Sequence, residues 1–409
     1  MHFIRCFSGM LAYACLWGLS LLAWGQPVVL QMRPDGPKAQ ELGQDGGYKA
    51  CDMSVQRPSC RVGAWSSAYP ERWRRPVEPA EQPMPLPETQ NPVEISWRWG
   101  FLKKTIDDYM NDSQITGLLI IRDGQVFVER YQYDRQPGMP MRSFSMAKTL
   151  TSMMVGIALE KGLIRSLDDM VAQYWPEIAE SAYGQTSLRN LLRMSSGVRF
   201  KELYTWTPDD DNWVWGQVLY LPQNKDQPQK VIEYLNQRTQ RDTQAGQRFS
   251  YASIETEILG RVLTKATGQT MTQLTQEWLW KPMGAHDRAY WLFSPTDGTE
   301  SVAGGFNASL RDYGRFGVLL ANNGLRDGQS IIPTQYLLDA TDATRQPRAF
   351  QPRIATPYMG YGYQTWIFPK GTAGFALLGV RGQAMMIDPS SQTVMVNTAV
   401  RPLARDPAG

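Results

Sequence analysis

The chain has 409 residues, 42 % hydrophobic and 20 % charged, enough to bury a sizeable core in one main domain with additions. Its 42 basic and 39 acidic residues leave a formal charge of +3, which gives no global electrostatic reason for a nucleic-acid partner, and local spots such as Arg72, Arg74 and Arg75 read as solvated surface. Histidine is limited to His2 and His286, so a multi-histidine metal site is excluded and no metal or other cofactor is expected.

Arg5 precedes an apolar run from Phe7 to Trp24 that closes on Ala23-Trp24-Gly25. This pattern predicts a signal peptide over residues 1–25, cleaved after Gly25, and hence a periplasmic or secreted protein; an uncleaved anchor is the rival reading, because the run approaches membrane-spanning length. Beyond that leader no membrane partner is expected. Cys6 and Cys15 fall in the leader, so the mature chain keeps Cys51 and Cys60, which are expected to close a small structural disulfide in an oxidising compartment. Residues 26–95 form a proline-rich extension, with Pro70, Pro76, Pro79, Pro83, Pro85, Pro87 and Pro92 denying the backbone its donors. They predict a loosely structured segment that drapes over the main domain through Trp65, Tyr69 and Trp73.

From Ser96 the pattern becomes regular. An amphipathic stretch runs through Phe101, Leu102, Ile106 and Met110, followed by a hairpin of Leu118–Arg122 and Gln125–Tyr131 around the turn Asp123-Gly124. Ser145 then opens a helix whose apolar residues Leu150, Met153, Met154, Ile157 and Leu159 run to a stop at Gly162. The region from about 165 to 290 is mostly helical, with patterns over 188–194, 230–236, 254–265 and 271–280, and its aromatics Trp206, Trp213, Trp215 and Tyr220 either line an apolar pocket or pack the core. Strands return at 361–368, 375–378, 384–387 and 393–400. The fold class expected for residues 96–402 is α+β, an antiparallel sheet flanked by helices with a mostly helical inserted region.

Chemistry concentrates at Ser145-Met146-Ala147-Lys148, where a three-residue step on a helix places two side chains on one face, about 5–6 Å apart at Cβ. This pairs a nucleophile with an activating amine at a helix N-terminus that favours developing negative charge. No serine sits in a Gly-x-Ser-x-Gly elbow, and His286, in the connection Met283–Asp287, reads as a surface or packing residue. The acidic run Asp209-Asp210-Asp211 reads as a solvated turn after Pro208. That leaves a histidine-free route in which a lysine or a tyrosine takes the serine proton, and Tyr251, just ahead of a helix from Ile254, offers a phenol that can shuttle a proton once a nearby lysine cation lowers its pKa. Gly379-Val380-Arg381-Gly382-Gln383, between strand-like runs, lets backbone approach a ligand, so that the N–H groups of Ser145 and Gln383 form an oxyanion hole.

In this order the three elements resemble the Ser-x-x-Lys, Tyr-x-Asn (or Ser-x-Asn) and Lys-Thr-Gly motifs of the serine β-lactamase and penicillin-binding-protein superfamily. Within it the chain looks most like class C β-lactamase-related hydrolases, including esterases and 6-aminohexanoate-dimer hydrolase. Further stretches typical of the group are Ser166–Asp169, Leu188–Gly197, Gly304–Asp312 and Tyr361-Gly362-Tyr363, and the likeness spans about 95–402. The resemblance implies a β-lactamase-like fold, Ser145 as acyl-forming nucleophile, Lys148 as its activator and Tyr251 as general base and acid. Ser253 stands where an asparagine is usual, and Val380-Arg381-Gly382 replaces Lys-Thr-Gly, making Ser253, Arg381 and Gly382 the substrate-binding candidates. Loss of that lysine favours a carboxylic ester or small linear amide as substrate. A penicillin-recognising peptidase or β-lactamase, and a non-catalytic binding protein of the same fold, are the alternatives.

Overall fold

The computed structural model describes residues 28–49, 57–66, 73–369 and 374–405. The leader, Cys51, Tyr69 and the Trp65 side chain lie outside the described residues. In chain order the first elements are β1 (Leu30–Met32), α1 (Arg61–Ser66), β2 (Arg74–Val77), the hairpin β3 (Ser96–Trp99) and β4 (Leu102–Thr105), and α2 (Ile106–Asp112). The hairpin β5 (Ile115–Arg122) and β6 (Gln125–Tyr131) follows, then β7 (Met141–Arg142) and α3 (Ala147–Glu160). A helical stretch holds α4 (Leu188–Leu192), α5 (Asp211–Tyr220), α6 (Gln229–Asn236), α7 (Ser253–Thr267) and α8 (Met271–Thr275). The chain returns through β8 (Ala289–Leu292), β9 (Phe306–Ala308), α9 (Leu310–Ala321), the small hairpin β10 (Leu325–Arg326) and β11 (Gln329–Ser330), and α10 (Thr334–Thr341). It closes with β12 (Gly360–Tyr361), β13 (Trp366–Ile367), β14 (Phe375–Gly379), β15 (Gln383–Asp388) and β16 (Thr393–Ala399).

The main sheet has eight strands in the order β1-β6-β5-β16-β15-β14-β13-β12. The hairpin that follows α2 meets the last strand in its middle, where β5 pairs with β16. The sheet is antiparallel as expected, except that β1 runs parallel to β6. Pleating sends alternate residues to opposite faces. Leu118 and Val128 join the cluster under α2, whereas Leu119, Ile121 and Val126 face the main core. On that core face α9 lies close enough that a Cβ on Gly317 would come within 2.4 Å of Val394, so only glycine allows the contact. Behind it runs α3, buried on every side from Ala147 to Ala158, the signature of a central helix enclosed by neighbours rather than a surface one. It packs against α7 and α10, with the helical stretch on one flank and the sheet on the other.

Two expectations fail here for identifiable reasons. The proline-rich extension is not loose over its described residues: β1 adds an edge to the main sheet and β2 an edge to the four-stranded sheet β2-β8-β9-β7. An edge strand needs hydrogen bonds on one side only, so it tolerates Pro76. The bond from Arg75 to buried Glu300 at 2.9 Å fixes the segment further, which also removes Arg75 from the solvated-surface reading. The stretch from Phe101 to Met110 is not one amphipathic unit. It divides into the β3–β4 hairpin and α2, separated by a capping box in which Thr105 and Asp108 satisfy each other's backbone N–H groups.

Candidate active site

Ser145 lies in a single 3₁₀ turn, Phe144–Met146, that leads into α3. The residue before it, Phe144, holds a left-handed backbone (φ 45°). That conformation costs a non-glycine residue about 1–3 kcal/mol and persists only where its surroundings over-determine it. Arg142 stacks on the Phe144 ring at 4.6 Å, and Ser143 donates its backbone N–H to Phe306 at 2.9 Å. The bend thus aims Ser145, which is half-buried, into an open cavity.

One turn later, Lys148 is buried and donates to Ser145 Oγ at 3.0 Å and to the Ala303 carbonyl at 2.8 Å. Burial brings its pKa down from the ordinary lysine value to about 8, with Glu202 and Glu257 opposing the fall. Its Nζ sits 5.2 Å from the centre of the Tyr251 ring. Tyr251, just ahead of α7, stacks on Trp366 at 5.7 Å and meets the edge of Tyr361 at 6.3 Å. Burial first, and Glu202 second, push its phenol well above the usual tyrosine value; a hydrogen bond with Ser145 and the charge of Arg405 pull it back. Ser145, Lys148 and Tyr251 therefore come together from three separate sequence positions, two of them on the same helical turn.

The support for this cluster was not legible in the sequence. Glu257, on α7, accepts the Ala303 N–H at 3.0 Å, fixing the carbonyl that holds Lys148. Its own charge is shared with Arg261 at 3.3 Å, and Arg261 reaches Asp297 at 2.7 Å. Glu202 accepts the Ser253 N–H at 2.6 Å, the Ser253 hydroxyl at 2.8 Å and the Tyr204 hydroxyl. The Ser253 proton is thereby committed to Glu202, although the residue does line the cavity.

The third motif departs most from expectation. Val380–Gly382 form the turn between β14 and β15, and Gly379 faces Gln383 across the hairpin. A Cβ on Gly379 would come within 2.6 Å of the Ser143 carbonyl, so glycine lets β14 press against the Ser145 turn. Gln383 lies on the far strand. Its side chain exchanges hydrogen bonds with Ala399 on β16 (2.8 and 3.0 Å), and it does not line the cavity. Arg381, in a left-handed conformation (φ 65°), sends its guanidinium to the carbonyls of Arg401 and Pro402, and burial together with Arg61 lowers its pKa to about 10. Gly382 supports the turn, its carbonyl accepting from Asn397 at 2.6 Å. Val380 and Arg381 border the cavity.

That cavity has a volume of about 320 Å³ and is mostly apolar. Trp206, Trp213, Trp215 and Tyr220 all line it, while Trp215 also belongs to the main core and Tyr220 packs against it, so both readings of these aromatics hold. Asp210 is not in a solvated turn: it is buried and caps α5, the helix that carries three of them. The C-terminal tail supplies another wall, since Ala404 borders the cavity, its carbonyl accepts the Arg381 N–H at 2.9 Å, and Arg405 stacks on Tyr204 at 4.8 Å. His286 is exposed, pairs with its neighbour Asp287 at 2.9 Å and takes no part in the cavity. Cys60 is buried and disulfide-bonded.

A sheet-and-helix frame that presents a serine at an apolar cavity, with a buried lysine and a tyrosine beside it, defines the class of protein, a serine hydrolase. The Beta-lactamase family model matches residues 102–402, and the chain belongs to that family. Among curated proteins it is 23 % identical over 360 residues to the 6-aminohexanoate-dimer hydrolase of Paenarthrobacter ureafaciens, covering 83 % of this chain and 88 % of the relative. Among solved structures, a Bacillus anthracis protein provisionally assigned as a 6-aminohexanoate-dimer hydrolase superimposes with a TM-score of 0.74 at 22 % identity, covering 88 % of this chain and 93 % of the other. A family VIII carboxylesterase superimposes with a TM-score of 0.54 at 17 % identity, covering 71 % of this chain and 88 % of the other. These likenesses establish a β-lactamase and penicillin-binding-protein-like fold.

Proposed function

We propose that the protein is an exported hydrolase that cleaves a carboxylic ester or a small linear amide through an acyl-enzyme on Ser145. The observation that carries this reading is the 3.0 Å contact between Lys148 Nζ and Ser145 Oγ at the wall of an apolar cavity. With its pKa brought down to about 8, Lys148 is neutral in a substantial fraction of molecules near that pH and takes the serine proton; the high phenol pKa keeps Tyr251 protonated, ready to donate. Ser145 Oγ bonds to the substrate carbonyl carbon as its proton passes to Lys148; the bond to the alcohol or amine breaks as Tyr251 protonates that leaving group, and Lys148 returns a proton to Tyr251; water then attacks the acyl carbon, releasing the acid and restoring the Ser145 hydroxyl. The N–H of Ser145 and that of Val380, in place of Gln383, take the oxyanion.

The choice of substrate rests on the turn after β14. Val380 occupies the place of a lysine that would hold a substrate carboxylate, and the Arg381 guanidinium is engaged by the tail carbonyls. Relatives named for a 6-aminohexanoate dimer and as a carboxylesterase support the same choice. Export draws support from the leader pattern and from a disulfide-bonded Cys60. The reading is tested by treating the protein with a fluorophosphonate and with a fluorescent penicillin and mapping adducts by mass spectrometry. Fluorophosphonate on Ser145 without stable penicillin labelling is expected. Stable penicillin labelling moves the protein to the peptidase or β-lactamase reading, and no labelling of folded protein by either probe leaves a non-catalytic binding role.

A further inference from the structure

The β3–β4 hairpin carries large apolar side chains into solvent far from any use in the core. Phe101 is 107 % exposed, Trp99 72 % and Leu102 62 %. They form one continuous tip, because Trp99 pairs directly with Leu102 and only Gly100 and Phe101 lie between. Gly100, with φ 60°, provides the backbone such a two-residue turn requires. The base is rigid: Trp97 packs edge-on against Tyr109 at 6.3 Å, and the Thr105–Asp108 capping box fixes the junction with α2. The exposure is therefore built in rather than a frayed end.

The opposite face of the hairpin carries charge. Arg98 and Lys103 are directly opposed across the two strands. Like charges in that position repel each other. Neither has an ion pair among the described residues; on the adjoining α2, Asp112 pairs with Lys104 at 2.8 Å, Asp107 lies 3.9 Å from Arg33 and Asp108 is bonded to Thr105. Aromatic rings at a protruding tip, backed by basic residues with no counterion among the described residues, match the interface of an anionic bilayer: the rings sit at headgroup depth and the cations meet lipid phosphates. A second copy of the chain fits less well, since three side chains supply at most about 500 Å², short of the roughly 800 Å² per partner of a standard protein interface.

We propose that the β3–β4 hairpin is a membrane-contacting tip, seating Trp99, Phe101 and Leu102 in the interface of an anionic bilayer with Arg98 and Lys103 on its headgroups. This site is separate from the cavity and does not depend on which substrate the enzyme takes. The test uses the full chain with phosphatidylcholine vesicles containing about a third phosphatidylglycerol, some carrying brominated acyl chains, at an ionic strength where exposed charges still act. Trp99 emission, taken as the difference between wild type and W99F so that other tryptophans cancel, is expected to be quenched by the brominated lipid. R98E/K103E is expected to lower that quenching severalfold, and W99S/F101S/L102S to leave ester turnover unchanged as a check on folding. Unquenched Trp99 emission in vesicle-bound protein overturns the proposal. So does a dimer, seen by sedimentation, that the triple substitution converts to monomer while vesicle binding is unchanged.

Discussion

The two walls of the cavity are encoded differently. On one side, Ser145 and Lys148 are three residues apart on a helical turn, so local geometry alone brings them to 3.0 Å. On the other, Val380 and Arg381 reach their positions only because β14 and β15 pair in one register and because the tail returns to bond Arg381 through Ala404. The first wall is short-range and tolerates little change in identity. The second is assembled from distant segments, and its chemistry depends on which backbone group faces the cavity rather than on side-chain type.

Substitutions separate these walls by size of effect. Lys148→Ala removes the proton acceptor and is expected to lower kcat by about 10²–10⁴-fold with the fold retained, measured by steady-state ester hydrolysis and circular dichroism. Val380→Pro deletes one backbone N–H and is expected to lower kcat by about 10²–10³-fold. Gly379 ahead of it is already extended (φ −124°, ψ 149°), as a residue before proline prefers. Wild-type turnover in that variant would return the oxyanion role to Gln383.

The pH dependence of kcat/KM sharpens the first wall. The active form of Lys148 is neutral, so activity should rise with pH through a limb near 8 and level off above it. Glu257 raises the Lys148 pKa, so removing its charge in Glu257→Gln should move that limb to lower pH. An unmoved limb would show that another group controls it. The smallest effect belongs to the tail: Arg405→Ala removes a bond to the Glu202 carbonyl and a stack on Tyr204, and a rise in KM of about fivefold, the equivalent of one hydrogen bond, is expected with little change in kcat.

The same contrast explains what the sequence could disclose. The β5–β6 turn at Asp123-Gly124, the helix after Ser145 and the approach of Tyr251 ahead of α7 are local patterns, and each appears where expected. Glu202 and Ser253 meet across 51 residues, and no spacing rule links them. Gln383 does not border the cavity, and its place is not legible in the sequence because a strand alternates faces at every residue, so the glycine loop before it leaves its pleat phase undefined. The α9 helix is weakly signalled in the sequence because Gly314 and Gly317 lower helix propensity; Gly317 is there for close packing on Val394. Asp210 looked solvated because three acids followed a proline, yet its carboxylate accepts from the N–H groups of Leu203, Thr205 and Asn212.

The central claim is that Ser145 carries the acyl group during turnover. Rapid quenching of the protein with an activated ester such as a p-nitrophenyl alkanoate, followed by peptide mass spectrometry, measures this directly. The account predicts an acyl mass on the peptide containing Ser145, absent in Ser145→Ala, which should lose turnover. Hydrolysis at the wild-type rate by Ser145→Ala, or an acyl group found on another residue at a kinetically competent rate, would contradict it.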